Sequence, residues 1–379
     1  MDLIVMVVFA ILLYLVQGWL YDRFWSRGME AEIRFQDDAA VEGEMGYLQE
    51  TVTNRKFLPL PALHVKFQID RNLKFLTGEN MAVTDQTYRN DVFSTLPWQK
   101  ITRTLQFSCL KRGYYTCSQV DLVAHDLFLT KSMAVMIPVQ TSLYVYPSAA
   151  DMEQLAIPFY QVLGSVLSRN RLSEDPFEFR GIREYQPYDS MREVNWKATA
   201  KTGELKVNVH ESTASQKVMI LLNLESDFVW ADNALREESI RIAGSMMMAL
   251  TEQGISVSLI SNGMDLFTGQ PVYLDAGAGT EHQRSLLELL SRICYEPAEQ
   301  MRRFGEMLRE QRKEAEMGNT LYLLISSSQR EEMLLEYGEL CARSPQSVWI
   351  APLRPDDTLQ ENRCLSAVSM KWTVNYDKK

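Results

Sequence analysis

The sequence predicts an α+β protein of several domains: an N-terminal transmembrane helix, then a β-sandwich, then a doubly wound α/β domain of Rossmann type. Three observations carry this. An uncharged apolar run fills residues 3–20, period-two alternation marks residues 30–147, and apolar strand-like runs alternate with helical periodicity from residue 217 onward. The limits drawn are 1–28 for the anchor, 30–147 for the sandwich, 150–215 for a connector and 216–379 for the α/β domain. Hydrophobic residues make up 46% of the 379 and charged residues 23%, near the soluble average, which excludes a disordered chain and a polytopic membrane protein.

The first element reads LIVMVVFAILLYLVQGWL from Leu3 to Leu20, polar only at Gln17. Eighteen residues at a rise of about 1.5 Å reach roughly 27 Å, enough for a thin hydrocarbon core. Trp19, Tyr21 and Trp25 stand where an aromatic belt belongs. A cleaved signal peptide needs a basic start and a small-x-small cleavage site. Here Asp2 follows Met1, and the stretch from Trp19 to Trp25 is bulky and charged. Arg23 and Arg27 follow the run and no Lys or Arg precedes it, so the positive-inside rule makes this a single-pass cell-membrane protein with a cytoplasmic body. Five cysteines without a CxxC agree with a reducing compartment. With 39 Lys+Arg against 49 Asp+Glu the net charge is -10, so the expected partners include the membrane but no nucleic acid.

In the sandwich, apolar residues alternate in Leu63–Ile69, Ile101–Phe107 and Leu143–Tyr146, with turn signals at Gly78-Glu79-Asn80 and Arg112-Gly113. The connector predicts a helix over Gln154 to Ser168, broken at Pro158. Ser190-Met191-Arg192-Glu193 has the form of a capping box, which starts a helix at Met191 that runs to about Lys201 and ends at Gly203. Leu205, Val207 and Val209 then alternate as in a half-buried strand. In the last domain Val218 to Leu222, Ile255 to Ile260, Leu321 to Ile325 and Val348 to Leu353 read as strands. Asn233 to Gln253, His282 to Ile293, Pro297 to Glu316 and Glu331 to Ala342 read as helices. Continuous apolar strands between helices demand a parallel sheet covered on both faces.

Within the connector, Arg183, Tyr185, Asp189, Arg192 and Trp196 stand at the spacing R-x-Y-x-x-x-D-x-x-R-x-x-x-W. This resembles the signature of a bacterial family, domain of unknown function 58, with Tyr188 in place of that family's glycine. Lys111-Arg112-Gly113-Tyr114-Tyr115, His125-Asp126-Leu127-Phe128 and Tyr144-Val145-Tyr146-Pro147 are similar to its upstream elements. The resemblance implies a von Willebrand factor type A-like C-terminal domain and a working partnership with a MoxR-type AAA+ ATPase or its client; it implies no enzymatic activity.

A type A domain holds Mg²⁺ with hard oxygen ligands from a D-x-S-x-S motif after its first strand. The aligned positions here are Asn223, Glu225 and Asp227, with Thr280 and Ser327 as further oxygens. Either this altered set still binds Mg²⁺, or the site is degenerate and its acids are solvated at a strand end. The second is the reading adopted, with no cofactor expected. The signature residues have three readings: an interdomain clamp, which is the one adopted, a recognition surface for the ATPase, and acid–base work by Asp189, Arg192 and Lys197, which no nucleophile or cofactor motif accompanies. There is no GxSxG, HExxH, Walker A or GxGxxG, and no two of the four histidines are close in sequence. The expectation is therefore a non-enzymatic, membrane-anchored adaptor. The alternative is a metal-dependent envelope adhesion module or hydrolase.

Overall fold

The computed structural model describes residues 2–76, 81–172, 174–186, 191, 194–212, 217–227, 233–295, 301–314, 320–344, 347–360 and 368–374. The chain divides into two units, Met1–Ser148 and Ala149–Lys379.

The first unit opens with α1 (Asp2–Phe24), a single helix because the run contains neither proline nor charge before Asp22. Its stretch Leu3–Phe24 is long and apolar enough to cross a membrane, a property shared by membrane spans and signal sequences, and little of it is buried. Ten strands follow: β1 (Met29–Phe35), β2 (Ala39–Val41), β3 (Met45–Asn54), β4 (Leu60–Asp70), β5 (Leu73–Phe75), β6 (Met81–Val83), β7 (Gln86–Thr95), β8 (Lys100–Cys109), β9 (Gly113–His125) and β10 (Ser132–Tyr146). They form two sheets, in the orders β1-β3-β8-β5 and β2-β10-β9-β4-β7-β6, antiparallel except where β2 meets β10. The alternation read from the sequence is the cause. Leu63, Val65, Phe67 and Ile69 on β4 and Leu105 and Phe107 on β8 all point into one core with Leu48, Val120 and Leu122, while Lys66 and Gln68 face out. A core of this kind gains about 1.5–3 kcal/mol for each large apolar side chain buried.

The second unit begins with α2 (Met152–Leu172), which runs straight through Pro158 where the sequence predicts a break. Proline costs a helix interior one hydrogen bond and a ring clash, about 3 kcal/mol. Burial of Leu155, Val162 and Val166 in the same core as the sheet below offsets that cost. Strands β11 (Glu174–Glu184) and β12 (Lys206–Ser212) pair antiparallel and carry between them the short helix α3 (Trp196–Thr202). Here too the structure corrects the expectation. The helix starts at Trp196 rather than Met191, because Asn195 is the N-cap and its Oδ1 accepts from the Ala198 N–H at 2.9 Å. Ser190 and Glu193, the two ends of the expected capping box, lie outside the described residues. Gly203 ends the helix as expected, with φ +76.

The rest of the unit contains β13 (Lys217–Asn223), α4 (Asn233–Glu252), β14 (Ser256–Asp265), β15 (Pro271–Gly277), α5 (Thr280–Arg292), β16 (Ile293–Cys294), α6 (Phe304–Glu314), β17 (Thr320–Ser326), α7 (Glu331–Arg343), β18 (Val348–Leu353) and β19 (Val368–Thr373). Its sheet has the order β15-β14-β13-β17-β18-β19, parallel except for the edge strand β15 and the short β16. Alternate residues of β13 serve opposite faces. Val218, Ile220 and Leu222 pack against α2, α4 and α5; Leu221 packs with α6 and α7. Both edge strands escape the sequence reading, and α6 begins at Phe304, later than the expected Pro297; residues 296–300 lie outside the described part.

Candidate functional site

In a doubly wound sheet the crevice lies at the carboxyl ends of the strands, where the order reverses. Here that point is between β13 and β17, whose last residues, Asn223 and Ser326, are paired. Both are buried. The Asn223 amide makes three hydrogen bonds: Nδ2 donates to Ser326 Oγ at 3.0 Å, and Oδ1 accepts from Asn262 Nδ2 at 3.1 Å and from the Glu225 N–H at 3.0 Å. Asn262 Oδ1 in turn accepts from the Leu224 N–H, so the first residue of the altered motif is a backbone staple across three strands.

The two acids are engaged as well. Glu225 Oε1 accepts from the Phe304 N–H at 2.9 Å and so caps α6, a favoured place for a carboxylate at a helix N-terminus. Asp227 accepts from the Ser328 hydroxyl and, at 2.6 Å, from the Gln329 N–H. Arg330 then spans the pair. Its Nε lies 3.1 Å from Asp227 Oδ1, its Nη1 3.9 Å from Glu225 Oε2, and its Nη2 donates to the Ser226 carbonyl at 2.9 Å. An arginine guanidinium thus lies among the oxygens that a divalent cation would need. Beside it is a cavity of about 190 Å³ lined by Ser226, Asp227, Leu235, Arg236, Ser327 and Gln329.

The remaining candidates fall elsewhere. Ser327 lines the cavity, while its neighbours Ser326 and Ser328 make the hydrogen bonds to Asn223 and Asp227. Thr280 opens α5, just after Gly277, which pairs with Val257 near the start of β14. Asn223 sits at the opposite end of the sheet, one residue past the pairing of Leu222 with Ser261. The arrangement therefore brings Asn223, Glu225, Asp227 and Ser327 to one strand end and leaves Thr280 at the other. Among the described residues, no three His, Cys, Asp or Glu side chains are grouped to hold a metal. Mg²⁺ needs near-octahedral oxygen geometry, and an Asn staple, a helix-capping Glu and an arginine-paired Asp do not fit it. Sequence reasoning missed Arg330 and Asn262. The only local signal for the former was a cation two residues beyond the serine run.

The signature segment forms a second region. Arg183 and Glu184 close β11 opposite Val207 and Lys206 of β12, and the Tyr185 N–H donates to the Leu205 carbonyl at 2.9 Å. Glu184 also pairs with Lys206 at 3.1 Å, and Val194 bridges to Val207 to seat α3 on the ribbon. Asp189 and Arg192 lie outside the described residues. Trp196 does not fold back onto the ribbon. It is 63% exposed, and Ile182, Met191 and Leu205 are exposed large apolar side chains of the same small subunit of structure. Two distant histidines do meet, His64 and His125, with ring centroids 5.4 Å apart on neighbouring strands; His64 Nδ1 lies 2.9 Å from Asn90 Oδ1.

Residues 181–332 match the family model described as Protein of unknown function DUF58, a span that holds both regions. A curated relative, Uncharacterized protein YeaD of Bacillus subtilis (strain 168), is 20% identical over 219 residues, 57% of this chain; the chain spans about half (52%) of that relative's length. Among solved structures, a non-cellulosomal cohesin from Archaeoglobus fulgidus is 9% identical with a TM-score of 0.22, over 31% of this chain and 91% of that one. Domains D2 and D3 of the major pilin SpaD from Corynebacterium diphtheriae are 12% identical with a TM-score of 0.21, over 28% of this chain and 49% of that one. At such scores neither likeness carries an argument.

Proposed function

We propose that the chain is a membrane-anchored, non-enzymatic adaptor. In this reading α1 is a single-pass anchor, the body is cytoplasmic, and the second unit is a von Willebrand A-like domain that presents a docking surface to a MoxR-type AAA+ ATPase or its client. The observation that carries the proposal is the exposed apolar set Ile182, Met191, Trp196 and Leu205 on the segment matched by the family model. Exposed aromatic and aliphatic side chains are what a protein partner buries most profitably. The strand order β15-β14-β13-β17-β18-β19, with an antiparallel edge, supports the type A-like reading. Arg330 supports a mode of action without metal, because it supplies the positive charge between Glu225 and Asp227. The flanking Arg23 and Arg27 support a cytoplasmic body.

The test is recovery of partners on the tagged full chain from gently solubilised membranes, with and without ATP. Nucleotide-dependent recovery of an AAA+ ATPase is the expected result. Its absence in both conditions sinks the adaptor reading and returns attention to the metal-dependent envelope alternative.

A further inference from the structure

The loop between β9 and β10 is aimed along α1, toward its N-terminus. Lys131, at the loop's end, pairs with Asp22 at 2.7 Å; Gln17 Nε2 donates to Asp126 Oδ2 at 3.0 Å; and the Tyr14 hydroxyl donates to Thr130 Oγ1 at 3.3 Å. The Phe128 ring lies beside the Tyr14 ring, with centroids 6.1 Å apart. The loop tip therefore stands at the level of Tyr14, about 9 Å below Leu20 at the helical rise per residue.

That tip is apolar and open. Leu127, Phe128 and Leu129 are 51%, 49% and 61% exposed. Leu129 holds a left-handed φ of +59, an unfavourable state for a branched residue, and thereby keeps three consecutive apolar side chains outward. The Leu129 N–H donates to the Asp126 carbonyl, and the Asp126 carboxylate accepts from the Thr130 and Lys131 N–H groups. Three N–H groups of the loop are thus paired within it, and the side chains it presents foremost are apolar, which favours their transfer from water to lipid.

The stretch long and apolar enough to cross a membrane, Leu3–Phe24, contains both Tyr14 and Gln17, the residues that hold the loop. A spanning α1 must carry the loop into the membrane with it. We infer that Leu127-Phe128-Leu129 inserts into the lipid leaflet beside α1, so that the first unit is seated in the bilayer as well as tethered to it. Phe57 and Trp98, 83% and 71% exposed, sit on adjoining loops where Lys56 Nζ meets the Trp25 carbonyl, and they occupy the headgroup level at which tryptophan is favoured. The inference rests on the membrane-spanning reading of α1, and the experiment separates the two.

The full chain, with Cys294 and Cys364 replaced by Ser, is placed in phosphatidylcholine nanodiscs carrying one spin label, at Phe128→Cys, Leu127→Cys, Leu12→Cys or Val83→Cys. Collision rates with oxygen, which partitions into lipid, are compared with those of a water-soluble nickel chelate. The expected result is an oxygen-to-nickel preference several-fold higher at 127, 128 and 12 than at 83. Labels at 127 and 128 that behave like 83 while 12 remains in lipid overturn the loop insertion and leave the span intact. A label at 12 that meets nickel as freely as 83 overturns the span and the inference with it.

Discussion

The guanidinium of Arg330 and the carboxylate of Asp227 lie 3.1 Å apart at the end of strands β13 and β17, and the same arginine reaches Glu225 and the Ser226 carbonyl. Two acids at a strand end are thus held by a cation that the chain itself supplies. Arg330 is about half exposed, so the pair is screened and its loss costs on the order of 1 kcal/mol or less. The consequence to look for is chemical. Arg330→Ala frees two carboxylates, and its melting temperature is expected to rise with millimolar MgCl₂ or CaCl₂, while that of the unaltered chain does not. Thermal melts of the two chains with and without the salts check this.

A second charged cluster lies inside the sandwich. Asp91 is paired with Arg89 at 2.9 Å and with Arg103 at 3.1 Å, and the first pair is almost fully buried. The fully buried Glu50 faces Asp91, and burial, then the Asp91 charge, pushes its pKa from 4.5 up to about 8. A carboxyl with a raised pKa binds its proton more tightly in the folded state, so its contribution is complete below pH 4.5 and is lost as pH rises toward 8. Glu50→Gln cannot titrate and is expected to flatten the fall in stability across that window, read by denaturant melts at several pH values. Asp91→Ala removes one half of the buried Arg89–Asp91 pair and should cost about 3–5 kcal/mol.

The Asp126 carboxylate holds its loop to α1, accepting from the Thr130 and Lys131 N–H groups and from Gln17 Nε2. Asp126→Ala should loosen the loop, seen as faster amide exchange at Thr130 and Lys131.

The Tyr115 hydroxyl returns to its own upstream backbone and donates to the Lys111 carbonyl at 2.7 Å. Gly113 leaves the room this needs, since a Cβ there would come within 2.8 Å of the Tyr115 ring. Tyr115→Phe is expected to cost about 1 kcal/mol, the net worth of one hydrogen bond. Gly113→Ala should cost more, about 1–3 kcal/mol, because the buried ring must move and surrender that bond. Chemical denaturation of both variants orders them.

These cases show which features were legible. The β4 alternation and the apolar β13 run were readable because each records one residue's burial at a time. The continuity of α2 through Pro158 was not, because the compensation lies in side chains packed from elsewhere. The start of α3 at Trp196 turned on Asn195 and not on the serine of the S-x-x-E pattern. At the strand end, Asn223, Glu225 and Asp227 were singled out by alignment to a motif. Arg330 sits about a hundred residues away, and its only local signal, a cation just past a serine run, does not say which acids it meets. The same holds for Tyr14 and Phe128, more than a hundred positions apart and in ring contact.

Trp196 tests the central claim most directly. Its side chain is largely exposed, so Trp196→Ala should change stability by no more than about 0.5 kcal/mol, the range for surface sites. The measurement is recovery of an AAA+ ATPase on the tagged full chain in the presence of ATP, for the unaltered protein and for Trp196→Ala shown by melting to be equally folded. The account predicts recovery on the former and at least a ten-fold loss on the latter, the ~1.4 kcal/mol or more expected of an aromatic anchor. Equal recovery on both would contradict the assignment of this face as the docking surface.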